Sequence, residues 1–302
     1  MPLALKVIVY PLYTILLLFF FFVVLFPYES VKLRVAGEME KALGGGYSIQ
    51  IGRLTPFPMT GVILKDVEVR ERGVADAKPV KISKAKLKFS LLPLLSGAFS
   101  VNMDLQMGSG SLKGNFFWKK INMGMNGKFQ NFDLAIANLF TKKIGVELAG
   151  LMNGQVQMDI NEQDPLRNEG HILLEIPNLK MGEMSFGGGV FQLPALELAQ
   201  PASPVSTIDI SVVHGTFDIK QFELVGGDVS LKADGKIYGA RKMDNYRFNL
   251  KGVLNLKPEV ISKIPILSTL EKQKSPDGSY PLTITGRLTS PSIRIGEFKV
   301  PI

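Results

Sequence analysis

Residues 84–91 read Lys-Ala-Lys-Leu-Lys-Phe-Ser-Leu, so Ala85, Leu87, Phe89 and Leu91 alternate with Lys84, Lys86, Lys88 and Ser90. Successive side chains of a strand point to opposite faces, and this spacing therefore predicts a strand with one apolar and one wet face. The pattern recurs along the chain. Val101, Met103, Leu105 and Met107 alternate with Asn102, Asp104 and Gln106, and Val156, Met158 and Ile160 with Gln157 and Asp159. Further on, Val229, Leu231 and Ala233, then Tyr246, Phe248 and Leu250, then Leu282 and Ile284 do the same. Turns rich in Gly, Asn and Asp separate these stretches, and Val225-Gly226-Gly227-Asp228 is a hairpin signal between Leu224 and Val229. The expected fold is mainly β: a curved antiparallel sheet, groove or taco-like, with a few short helices.

Working outward, Val7 to Phe26 is a run of twenty residues without charge. At ~1.5 Å per residue such a helix matches the ~30 Å hydrocarbon core of a bilayer. The run exceeds a signal-peptide core, and Pro27-Tyr28-Glu29 supplies no small-residue cleavage pattern. Residues 1–28 are therefore expected to be an uncleaved transmembrane anchor. Charge bias does not settle its orientation. A cytoplasmic N-terminus is expected because long domains translocate largely regardless of charge. Residues 29–46 read as an amphipathic helix and linker. Val31, Val35, Met39 and Leu43 recur every fourth residue until Gly44-Gly45-Gly46. That helix could pack on the first strands or lie at a membrane surface. Residues 47–302 form the β body. Asp133 to Ile144 and Lys257 to Leu270 read as helices, the first capped by Asp133 and the second interrupted by Pro265. Gly189 to Val205, with three prolines, reads as an irregular region or a break between two lobes.

The chain has no cysteine, which excludes thiolate nucleophiles and zinc-thiolate sites. Its net charge of +8 suits anionic headgroups or acidic partners. That charge is spread out, so nucleic-acid binding is not expected. No Ser motif has a nucleophile-elbow pattern, and the glycines form neither a P-loop nor a dinucleotide fingerprint. The two histidines, His171 and His214, are far apart in strand-like stretches and read as structural. No catalytic residue, metal site or cofactor is expected. Lys84, Lys86 and Lys88 read as a solvated face or guarded edge, or else as a contact for anionic lipid or an acidic partner. An open sheet must cover its apolar face somehow. Leu87, Phe89, Phe217, Ile219, Phe248 and Leu250 are the candidate lining of an apolar groove.

Four segments carry a family resemblance: Ile49-Gln50-Ile51-Gly52, Met59-Thr60-Gly61-Val62-Ile63-Leu64-Lys65-Asp66-Val67-Glu68-Val69, Leu91-Leu92-Pro93-Leu94-Leu95-Ser96-Gly97, and the C-terminal Ile284-Thr285-Gly286-Arg287-Leu288-Thr289-Ser290-Pro291-Ser292-Ile293. With the anchor and short helix ahead of them, the layout resembles AsmA-like proteins of the Gram-negative envelope. Within that group it resembles most the type II secretion system protein N (GspN) family. The GspN resemblance implies a non-enzymatic inner-membrane protein with a periplasmic β domain, accessory to the type II protein secretion system; its exposed strand edges would then dock other components by β-augmentation. The broader resemblance implies a lipid-binding or phospholipid-transfer module with an apolar β-groove. Neither supplies catalytic residues.

Overall fold

The computed structural model describes residues 27–57, 60–73, 79–138, 147–186, 191–201, 205–263 and 272–300, together with Tyr13 and Leu25. Most of the Val7–Phe26 run lies outside these residues, as do residues 139–146 and 264–271 of the two expected helices. Among the described residues, no helix is long and apolar enough to cross a membrane. The expected β class is what the structure has. Antiparallel strands dominate, and helices are few and short.

The chain divides into two compact units, residues 1–86 and 87–302. The first contains helix α1 (Tyr28–Ala42) and strands β1 (Tyr47–Phe57), β2 (Gly61–Glu71) and most of β3 (Val80–Phe89). Strands β1 and β2 pair with Ile49 opposite Val69, Ile51 opposite Val67 and Leu54 opposite Leu64. All six side chains are buried. Helix α1 stops where Gly44 and Gly45 take positive φ, a conformation free of penalty only for glycine. Of the two sequence readings, packing on the strands is the one observed. Glu40 near the helix end accepts the backbone N–H of Ile49 at 2.7 Å and pairs with Arg72 at 2.6 Å, tying α1 to the starts and ends of the hairpin.

The second unit begins with the end of β3 and a five-residue helix, α2 (Leu91–Leu95). A meander follows: β4 (Ala98–Met107), β5 (Gly110–Lys119), β6 (Asn122–Asp133), β7 (Leu148–Asn161) and β8 (Glu169–Met181). Three short strands come next, β9 (Met184–Phe186), β10 (Phe191–Leu193) and β11 (Leu196–Ala199). The meander resumes with β12 (Ser206–Val213), β13 (Thr216–Leu224), β14 (Val229–Tyr238) and β15 (Arg247–Leu256). Helix α3 (Pro258–Lys263) precedes β16 (Tyr280–Arg287), β17 (Ser290–Ile295) and β18 (Phe298–Lys299). Hydrogen bonding runs in chain order from β4 to β8, then directly to β12 and on to β18. Strands β9 to β11 leave that path, with β11 returning to pair with β8. The stretch read as irregular, Gly189 to Val205, thus holds two short strands.

Three local expectations are met, whereas Leu91, read as the end of an alternating strand, opens helix α2 instead. Asp133 caps a short 3-10 helix, Leu134–Ala137, its carboxylate accepting the Ala135 N–H at 2.8 Å. Residues 225–228 join β13 to β14. Helix α3 opens on Pro258, as expected at a first helical position.

Candidate functional site

Register places the side chains of the second unit in continuous cross-strand rows. One row starts Val101, Phe116, Met125, Met158, Gly170 and Val212 on β4 to β8 and β12. It continues Phe217, Ile237, Phe248, Gly286 and Pro291 on β13 to β17. The row two residues further along begins at Met103 and runs through Val156, Ile172, Ile210, Ile219 and Leu250 to Ile293. A third begins at Leu105 and runs through Phe129, Leu174, Ile208 and Phe222 to Ile295. Positions two apart on a strand share a face. Every position of these three rows is apolar, glycine or proline.

The interleaved positions are mainly polar, with Phe117, Leu173 and Val213 as apolar exceptions. Between the first two rows run Asn102, Asn115, Asn126, Gln157, His171 and Ser211. Asp218, Lys236, Asn249, Thr285 and Ser292 complete that row. Asn115 donates to Ser100 Oγ at 3.1 Å and to Asn102 Oδ1 at 3.1 Å, so neighbouring amides on this face bond along the sheet. Further along the same face, Lys232 hydrogen-bonds the Glu223 carboxylate and holds it below the ordinary carboxylate range. Eleven strands at ~4.8 Å spacing make a two-faced sheet about 50 Å along its path.

The apolar face differs at its two ends. At one end Leu134, Ile176, Leu179, Ala199 and Leu224 form a buried cluster, with Leu196 and Val260 beside β11 and α3. Tyr280 and Ile295 close it further with Leu254 and Phe298. Here the 3-10 helix, β11 and α3 pack against the face. Toward the other end Met158 and Val212 are buried, but Met125 keeps 43% of its surface, and Phe99 and Trp118 are likewise exposed.

The structure brings four of the six sequence-chosen residues into two adjacent rows. Phe217 and Phe248 share the first, Ile219 and Leu250 the second. Phe89 at the end of β3 meets Phe99 with ring centroids 5.8 Å apart, and Phe99 pairs with Trp118 across β4 and β5. Leu87 is half-buried on β3. Sequence reading missed Phe116, Met125, Met158 and Ile237, although Met158 stands in a recognised alternating stretch.

His171 and Asp209 lie together on the polar face, Nε2 to Oδ1 2.9 Å, with Ser211 across from His171 on β12. Among the described residues, the ring's hydrogen-bond partner is Asp209, and Ser211 makes no hydrogen bond to it. A nucleophile needs that bond to be activated. His214, read as part of a strand, occupies the tight turn between β12 and β13 with φ 48°, its N–H donating to Glu169 Oε1. No group of three His, Cys, Asp or Glu side chains that could hold a metal occurs among the described residues.

Comparison of the chain with protein-family models, with curated proteins and with solved structures finds no match to any of them.

Proposed function

We propose that this is a non-enzymatic, membrane-anchored envelope protein whose second unit holds lipid acyl chains against its apolar face. The observation that carries the reading is the separation of an apolar face from a mainly polar one over eleven paired strands, with exposed apolar side chains toward one end. An apolar face left partly exposed on a folded protein marks a ligand or partner. Each acyl methylene taken from water contributes about 0.8 kcal/mol, so a chain lying along the rows is held without any specific polar contact. The anchor of residues 1–28, its inner-membrane placement and a periplasmic body belong to the same proposal, supported by the uncharged run Val7–Phe26.

A second reading, a component of the type II secretion system, draws on a different feature. Among the described residues, β1 pairs with no strand but β2, and beyond Ile49, whose N–H Glu40 takes, its outer edge is where a partner strand could add by β-augmentation.

Native mass spectrometry of the full chain, released from mild detergent, separates the two. The lipid reading expects phospholipid-mass adducts that survive removal of the detergent. A bare chain accompanied by stoichiometric secretion proteins would contradict it and favour the second reading.

A further inference from the structure

Helix α2 is Leu-Leu-Pro-Leu-Leu, and none of its residues is buried. Leu92 is 81% exposed and Leu95 87% exposed, while Leu91 and Leu94 are about half exposed. A short helix on a water-facing body normally buries its apolar side chains, so four leucines in the open need an occupant. The patch extends onto the sheet. Phe99 and Trp118 face each other on β4 and β5 and are both exposed, and the Trp118 indole N–H donates to the Lys120 carbonyl at 2.9 Å. This is the open end of the apolar rows, opposite the end closed by Leu134, β11 and α3.

The surrounding charge selects the occupant. Lys88, Lys119 and Lys120 are exposed beside the patch. From Ala77 to Phe132 the sequence contains nine lysines and a single acidic residue, Asp104. Leucines to bury, a tryptophan whose N–H stays at the polar boundary and lysines at the rim match the strata of an anionic bilayer: acyl chains, interface and phosphates.

We infer that this end of the second unit docks on an anionic lipid bilayer through Leu91, Leu92, Leu94, Leu95 and Trp118, with Lys119 and Lys120 contacting headgroup phosphates. The inference stands on the exposed patch and its charge, and would hold whether or not the apolar rows carry lipid. If both are true, the open end of the rows faces the membrane that supplies or receives the chains.

The chain lacks cysteine, so Leu92→Cys carries a single environment-sensitive fluorophore. Full-length labelled protein, held in a phosphatidylcholine nanodisc, is mixed with vesicles of phosphatidylcholine alone or of phosphatidylcholine with phosphatidylglycerol. The expected result is a blue shift and co-flotation with the anionic vesicles. The Lys119→Gln/Lys120→Gln pair should weaken vesicle affinity about thirty-fold, and added salt should weaken it further. Leu92→Asp/Leu95→Asp, at positions that support no core, should abolish flotation with circular dichroism unchanged. Unshifted emission with anionic vesicles would overturn the inference. So would flotation indifferent to both the lysine and the leucine changes, or a stoichiometric protein partner that covers the probe and excludes vesicles. Lipid carried by the protein before mixing is measured separately, so failure of docking is distinguishable from failure of the lipid reading.

Discussion

Gly154→Val is expected to unfold the second unit or to lower its stability by more than about 3 kcal/mol, because strained backbone and overpacking act together. Gly154 stands in the third apolar row with φ near 137°, a conformation that side chains rarely adopt. A Cβ built there lies 2.1 Å from the Leu173 carbonyl oxygen and 2.9 Å from the Leu174 Cα, so the backbone of β8 would have to move. Gly127, in the second row, is the control. Its Cβ would meet the Leu112 side chain at 3.5 Å, an ordinary contact. Gly127→Ala should leave stability within about 1 kcal/mol, since a less flexible unfolded chain offsets any local adjustment. Denaturant midpoints read from the sole tryptophan, Trp118 on β5, report on this unit specifically. Equal midpoints for Gly154→Val and Gly127→Ala would mean that β7 does not approach β8 as described.

The second large effect concerns lipid. Met125→Asp combined with Phe248→Asp should reduce co-purifying phospholipid at least about tenfold, since a carboxylate among acyl chains costs roughly 2.5–3.5 kcal/mol. Both residues belong to the first row, and neither is buried, so a carboxylate at either site can keep its water in the lipid-free protein. The fold should therefore survive, with circular dichroism and thermal midpoint close to the parent's. Asn126→Asp with Asn249→Asp adds the same charge one residue along each strand, on the opposite face, and should leave lipid content unchanged. Retention of lipid by the Met125/Phe248 variant in a folded protein would remove the apolar rows as its binding surface.

The alternating stretches were legible because each strand carries its own amphipathic signal, and so were the glycine stop of α1, the Asp133 cap and the turn at 225–228. The rows were less so. Glycine fills many of their positions, Gly114, Gly127, Gly154, Gly170, Gly235 and Gly252 among them, and a residue with no side chain breaks the visible alternation. Phe116-Phe117-Trp118 hides it differently, by placing aromatics on both faces. Register was not readable either. Strand β8 pairs with β12 across three intervening short strands, and register shifts between Phe129 and Phe132 and between Ile219 and Phe222 change which residues align. Phe217 and Phe248 could be chosen from the sequence, whereas their alignment through Ile237 required the pairing. The leucines of α2 were visible as a motif. Their exposure is a property of the folded surface, and no local pattern announces it.

Site-specific photo-crosslinking in living cells reaches the central claim most directly. A photoreactive phenylalanine analogue is placed in turn at Phe116, Phe248, Asn115 and Asn249 of the full chain, and crosslinked phospholipid is detected on the purified protein. Crosslinks at Phe116 and Phe248, and none at their polar-face neighbours Asn115 and Asn249, are the result expected of an acyl-chain-bearing face. Crosslinks to phospholipid at all four positions, or at none of them, would contradict it.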